Sequence, residues 1–316
     1  MTSRRLAVSL ILTGAVVTGC GVVVGRRATA RETASEATWP PEGQFVTVDG
    51  RRVHALVQGS GPDVVLIHGA GGNLRDFTFD LAGRLARDFR VTAFDRPGLG
   101  FSDDLGQAGS DPRLQAAHLQ KAAVLLGLRR PVVLGHSYGG AVAMGWALTD
   151  PANVRGVVLV SAATMPWPGG LDSWYHVTGG LIGGATVVPL LTAFVPEART
   201  EAALAGIFAP EPVPPGYAAH VGPGLTLRRA SLRANGRQVL ALKGNLRAMS
   251  QGYPGLTMPF ELLHGLADTT VPAKVHSIPL SEILPHARLT LIEGAGHMPH
   301  HSHPDLIASA IARLVA

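Results

Sequence analysis

Short unbroken apolar runs separated by helical stretches restrict this chain more than any other feature. DVVLIHG from Asp63, FRVTAFD ending at Asp95, PVVLGH from Pro131 and VRGVVLVSA from Val154 have the length of strands and no polar alternation. Strands of that kind are buried on both faces, as in a parallel sheet covered by helices. Between them lie helical stretches. One begins at Ser110-Asp111-Pro112, a capping signal with proline in the first turn, and stops near Gly127; another runs from Tyr138 to Thr149 and ends at Asp150-Pro151. This alternation predicts βαβ units and a doubly wound, mostly parallel sheet. Upstream, FVTVDG and RVHALVQG alternate apolar with polar and meet at Asp49-Gly50, a hairpin signal.

The pattern breaks from residue 164 to about residue 255, where Pro, Gly and aromatic residues cluster around helical pieces such as LRRASLRANGRQVLALKGNLRAM. It resumes with the strands MPFELLHG and ARLTLIEG and the closing helix DLIASAIARLVA. One α/β domain over residues 45–316 is expected, with a helical lid inserted at about 164–255. At 316 residues and 46% hydrophobic, the chain is long enough to bury one large core.

The N-terminus reads as an address or an anchor. Arg4 and Arg5 precede an uncharged run from Leu6 to Gly25, and Arg26 and Arg27 close it. In one reading it is a secretory signal whose Val17-Thr18-Gly19-Cys20 resembles a lipoprotein box, making Cys20 the lipidation candidate. In another it is an uncleaved transmembrane anchor, since 20 residues at about 1.5 Å each cross a core of about 30 Å. A cut after the small-x-small triplet Ala28-Thr29-Ala30 is the third. The first two hold the domain at the membrane of a bacterial cell envelope. Residues 1–27 are assigned to this segment and 28–44 to a tether. The net charge of +5 is dispersed, with no basic run interleaved with aromatics, which argues against a nucleic-acid partner.

Gly135-His136-Ser137-Tyr138-Gly139 fits G-x-S-x-G between a predicted strand and a predicted helix, the context that gives the pattern meaning. Such a turn strains the serine backbone, and Gly135 and Gly139 leave room for it. Gly140 and Gly145 let the following helix approach the sheet. A serine hydroxyl needs a base, and the base an orienting acid. Asp268 in LLHGLADTTVP and His297 in IEGAGHMPH each follow a strand, and the order Ser, Asp, His is the one this nucleophile turn uses. IHGAGGN, residues 67–73, exposes backbone N–H groups. The N–H of Ala70 with that of Tyr138 makes a candidate oxyanion hole, worth about 3–4 kcal/mol per donor in the transition state. His68 reads as a brace for that loop.

With these residues in view, the chain resembles the α/β-hydrolase superfamily in its serine-nucleophile, lid-containing branch. The resemblance covers about residues 45–316 and rests on the HGAGG loop, FDRPGLGFSD (94–103), GHSYGG, HGLADTTVP and GAGHMPHHSHPD, in family order. Ser302-His303 departs from it, since many relatives carry an acidic residue after the catalytic histidine. The resemblance implies ester hydrolysis through an acyl-enzyme, with no cofactor and no metal. The alternatives are cleavage of a carbon–carbon bond beside a carbonyl and a non-catalytic, membrane-tethered binding protein. The serine itself argues against epoxide or halide chemistry, which uses a carboxylate there.

The remaining features read as follows. His300, His301 and His303 are expected on a solvent-facing loop rather than around a metal. Trp167, Trp174 and Tyr175 line a substrate pocket or form lid core. Arg228, Arg229, Arg233, Arg237 and Arg247 are expected on a solvated helix face. The lid composition suggests a small apolar or amphipathic acyl substrate.

Overall fold

The computed structural model describes the backbone of residues 2–316 and the side chains from residue 19 onward. Its strands are β1 (Gln44–Val48), β2 (Arg51–Gln58), β3 (Asp63–Ile67), β4 (Arg90–Phe94), β5 (Val132–His136), β6 (Gly156–Val160), β7 (Phe260–Gly265) and β8 (Arg288–Ile292). They form one sheet in the order β1-β2-β4-β3-β5-β6-β7-β8. β2 runs antiparallel to both β1 and β4, and every other neighbour pair is parallel. The predicted hairpin is present. Asp49 and Gly50 both take positive φ, 51° and 76°, which a two-residue hairpin turn requires.

The inner strands β3, β5, β6 and β7 are buried at every position. One face packs against Leu119, Ala122, Met144 and Trp146 from the helices Pro112–Leu125 and Tyr138–Thr149. The other packs against Phe77, Leu81, Leu85, Ile307 and Ile311. Full burial of each large aliphatic side chain contributes about 1.5–3 kcal/mol, so these two layers fix which way every strand faces. The helix Pro112–Leu125 starts as its sequence predicts: the Asp111 carboxylate accepts from the Arg113 N–H at 2.8 Å with Pro112 in the first turn.

Between β6 and β7 the chain leaves the sheet for a helical insertion. It includes Ser173–Gly179, Leu181–Phe194, Glu197–Phe208, Tyr217–Val221 and the long helix Arg229–Met249. Phe208, Tyr217 and Val221 pack on Met298, so the insertion rests on the loop that follows β8.

Residues 28–44 are not a free tether. The N-terminal helix runs from Thr2 to Thr38, and its last turns pack on the insertion. Ala28 is fully buried there. Glu32 pairs with Arg229 at 2.5 Å and Glu36 with Arg228 at 2.8 Å, while Trp39 Nε1 donates to the Ala219 carbonyl at 2.7 Å. Among the described residues no single helix is long and apolar enough to cross a membrane, though the bent pair Ser173–Gly179 with Leu181–Phe194 meets that requirement jointly. Most of the Leu6–Gly25 run, and with it the signal, lipoprotein and anchor readings, lies outside the residues whose side chains are described. Cys20 is exposed.

Candidate active site

Ser137 sits between β5 and the helix Tyr138–Thr149 at φ 54°, ψ −121°, a conformation that costs a non-glycine residue about 1–3 kcal/mol. The sheet holds it there. Ser137 N–H donates to the Val160 carbonyl at 3.1 Å, and its own carbonyl accepts from Gly140 and Ala163 at 2.9 and 3.0 Å. The side chain is buried, and its Oγ makes no hydrogen bond among the described residues. The flanking glycines are needed for close approach. A Cβ at Gly139 would collide with the Ile67 carbonyl, and one at Gly140 with the Ala162 methyl. Gly139→Ala is therefore expected to destabilise the fold by about 3 kcal/mol or more, because the obstacle is backbone that cannot rotate away. An unchanged urea midpoint would show that this turn is looser than its geometry states.

Asp268 follows β7 and His297 follows β8, which brings residues far apart in sequence to one edge of the sheet. His297 Nδ1 lies 2.7 Å from Asp268 Oδ2. Asp268 Oδ1 accepts from the N–H groups of Thr270 and Val271 at 2.8 and 2.9 Å. Burial alone would raise the Asp268 pKa. The hydrogen bonds from His264, His297 and Val271 outweigh it and hold the carboxyl well below the usual range, so it is ionised. The His297 loop is pinned beside the nucleophile turn, since His136 Nε2 donates to the His297 carbonyl at 2.9 Å. Glu211 of the insertion accepts from the Gly296 N–H at 3.1 Å, on the residue before His297.

The HGAGG loop follows β3. Gly69 lies against Ser137: a Cβ there would sit 3.1 Å from Ser137 Cβ. Arg96, fully buried, donates from Nη2 to the Gly69 carbonyl and from Nε to the His68 carbonyl, both at 2.9 Å. His68 Nε2 accepts from the Arg96 N–H at 2.9 Å, which leaves its Nδ1–H for the Gly69 carbonyl. A trans peptide is planar, so a fixed Gly69 C=O aims the Ala70 N–H the opposite way, away from the guanidinium. Neither the Ala70 nor the Tyr138 N–H has a partner among the described residues. The guanidinium is completed by Gln115 and Gln238 and stacks 4.2 Å over the Tyr138 ring. Burial lowers its pKa to about 10, so it keeps its charge at neutral pH.

Behind the turn lies a cluster the sequence did not announce. Asp76, buried, accepts from Tyr217 Oη at 2.8 Å, from His301 Nε2 at 2.8 Å and from His300 Nε2 at 3.2 Å. His300 is fully buried and only 2% of the His301 side chain is exposed, so neither faces solvent as expected; His303 is half-buried. Asp76, His300 and His301 offer ligand atoms within 4.8 Å of one another. The two histidine Nε2 atoms already serve Asp76, and among the described residues neither Nδ1 has the acceptor that orients a metal-bound histidine. The aromatic residues are dispersed. Trp167 and Tyr175 pack on the main core, whereas Trp174 is 40% exposed. The arginine row is not simply solvated: Arg228 and Arg229 pair with the N-terminal helix, Arg237 pairs with Asp104, and Arg233 donates to the Gly184 carbonyl.

Four buried histidines set the acid limit, and burial with the charges of His300 and His297 holds one of them, His136, well below its ordinary value. Burial, reinforced by the Arg96 charge, lowers His68 to about 4. Burial and the charge of His264 do the same to His276, and burial lowers His300 to about 4 against the pull of Asp76. The unfolded chain takes up these protons near the ordinary 6.5, the folded one only near 4. Stability is therefore expected to be full above about pH 6.5 and to fall as pH drops towards 4, by up to about 1.4 kcal/mol per pH unit for each histidine. Urea midpoints at pH 7 and pH 5 check this, and equal values would contradict it.

Comparison with known proteins gives the family. A model of the alpha/beta hydrolase family matches residues 64–310. An uncharacterized protein of Mycobacterium tuberculosis is 27% identical over 289 residues, spanning 87% of this chain and 82% of its own. A pimeloyl-(acyl-carrier protein) methyl ester esterase of Yersinia pestis is 29% identical over 262 residues, spanning 79% and 91%. Among solved structures, a membrane phospholipase A described as a bacterial virulence factor superposes with a TM-score of 0.66 at 23% identity, covering 99% of this chain and 98% of that one. The parallel sheet, the strained serine turn and the match across most of its length place this chain in the alpha/beta hydrolase family, as a hydrolase.

Proposed function

We propose that this protein is a serine hydrolase of carboxylic esters, held at the bacterial cell envelope by its N-terminal helix. The observation that carries the reading is the Ser137 turn beside the 2.7 Å His297–Asp268 pair. In the proposed cycle Nε2 of His297 takes the Ser137 proton, and Ser137 Oγ attacks the ester carbonyl. The oxyanion is held by the Ala70 and Tyr138 N–H groups, which have no other partner among the described residues. His297 then protonates the leaving alcohol, and water repeats the steps on the acyl-enzyme. Asp268 keeps Nδ1 protonated and Nε2 available. The insertion serves as a lid, through Glu211 and Phe208 against the His297 loop.

An apolar or amphipathic acyl substrate fits the apolar insertion, and two similar proteins point the same way, one named a methyl ester esterase and the other a membrane phospholipase A. The test is a fluorophosphonate probe on the full chain in detergent, beside Ser137→Ala and His297→Ala. Labelling of the wild type alone supports the reading. Absence of labelling on folded wild type, with no turnover of p-nitrophenyl esters, removes it.

A further inference from the structure

The helix Leu181–Phe194, LIGGATVVPLLTAF, carries no charged residue and is built inside out. Gly184, Val188 and Thr192, one i, i+4 row, face the protein and are buried. The opposite row carries Ile182, Leu190 and Phe194, all exposed, and Leu181 beside it is 95% exposed. Ile182 is 81% exposed. A helix on the surface of a water-soluble domain turns its larger apolar residues inward. This one turns Gly184, Val188, Thr192 and Ala193 inward, and of its larger apolar residues Leu181, Ile182, Leu190 and Phe194 face outward. The neighbouring Trp174 and Val177 of Ser173–Gly179 and Val22 and Val23 of the N-terminal helix are exposed as well, so exposed apolar residues gather on these three elements.

What covers the face follows from the element it packs against. Arg27 of the N-terminal helix donates from Nε to the Ala193 carbonyl at 2.8 Å and stacks 5.0 Å over the Phe194 ring. Arg26 and Arg27 stand at the end of the uncharged Leu6–Gly25 run, where basic residues mark the headgroup level of a membrane segment. The C-terminal end of the inside-out helix therefore meets the N-terminal helix where its apolar run stops. We infer that the outward face of Leu181–Phe194 is a lipid-docking surface, seated in the interfacial layer of the bilayer that receives the N-terminal helix. The inference rests on the membrane-tethered reading above and adds a second point of attachment. It also has a consequence for substrate. The next helix, Glu197–Phe208, leads into Ala209, whose carbonyl lies against Gly296 of the His297 loop. Seating the first helix in lipid holds the lid segment over the site at the membrane surface, which favours esters carried in the bilayer.

The test places an environment-sensitive fluorescent amino acid at position 182 of the full chain, and in a second preparation at position 125, an exposed apolar position of Pro112–Leu125. Both proteins are reconstituted into phosphatidylethanolamine–phosphatidylglycerol vesicles with and without brominated acyl chains. Strong quenching at 182 with little at 125 is expected. Equal, weak quenching on vesicle-bound protein would overturn the docking surface and leave the tether standing. Failure to bind vesicles at all would overturn both. Quenching at 182 that follows protein concentration and ignores brominated lipid would assign the face to a second copy of the chain. In a companion assay Ile182→Glu with Leu190→Glu is expected to lower hydrolysis of vesicle-borne ester about tenfold or more and to leave a short soluble ester within about twofold. Equal losses on both substrates would mean a damaged fold rather than a lost docking face.

Discussion

Asp268→Asn is expected to lower kcat about 10⁴-fold while the protein stays folded. The geometry gives the reason. One Asp268 oxygen is already held by the Thr270 and Val271 N–H groups, and an asparagine would keep its carbonyl oxygen there, since an amide NH₂ cannot accept those bonds. Its NH₂ would then take the place of Oδ2 and face His297 Nδ1. The imidazole must answer with a lone pair at Nδ1, which moves its proton to Nε2, and the ring can no longer accept the Ser137 proton. Fluorophosphonate labelling should slow in parallel, because it needs the same proton transfer. Retention of both backbone bonds predicts a small change in urea midpoint, which separates this effect from misfolding. Activity within tenfold of wild type would remove the His297–Asp268 pair from the chemistry.

The parts of this molecule that could be read from sequence are those whose cause is local. The Ser137 turn needs glycine at 135 because backbone of its own turn lies there, a local reason; the obstacle at Gly139 is the Ile67 carbonyl of β3, but the five-residue pattern records that need as well. The Asp49-Gly50 hairpin and the Asp111-Pro112 helix start are local in the same sense. The misses share the opposite property. Residues 28–44 look like a polar tether, yet their helical part is fixed by Glu32 meeting Arg229 across 197 positions of chain. The same pairing explains why Arg228 and Arg229 are not a free basic face. His300 and His301 follow a proline in a polar stretch and read as exposed. They are buried because Asp76, 224 residues before His300, supplies a carboxylate that no local pattern connects to them. The inside-out helix Leu181–Phe194 is apolar on every side in sequence, and only the fold decides which side is covered.

Arg96 carries the second large effect. FDRPGLG reads as a structural turn, and in part it is one: the buried Asp95 carboxylate accepts from the Leu74 and Phe101 N–H groups, both at 2.7 Å. The arginine beside it holds the carbonyls of His68 and Gly69 on one planar fork, and the second of these belongs to the peptide whose N–H is that of Ala70. A cation on the carbonyl side fixes the plane of that peptide and strengthens its dipole, so the Ala70 N–H is a better and better-aimed donor. Arg96→Met leaves the His68 carbonyl and two glutamine oxygens without a buried donor, while the Gly69 carbonyl keeps only the His68 Nδ1–H, at about 1–3 kcal/mol for each unsatisfied group, so a clear loss of stability is expected. On protein kept below its melting temperature, kcat is expected to fall about 10²- to 10³-fold, the effect of losing one oxyanion donor, with KM little changed. Arg96→Lys should recover only part of this, because an ammonium cannot reproduce the fork that spans both carbonyls. A merely structural role predicts a different result: lower stability with normal kcat in the surviving folded fraction. The pH profile adds a second check. In the chemistry Arg96→Met acts on the oxyanion and should lower kcat by a similar factor across the pH range; a loss confined to one end of the range would count against that role.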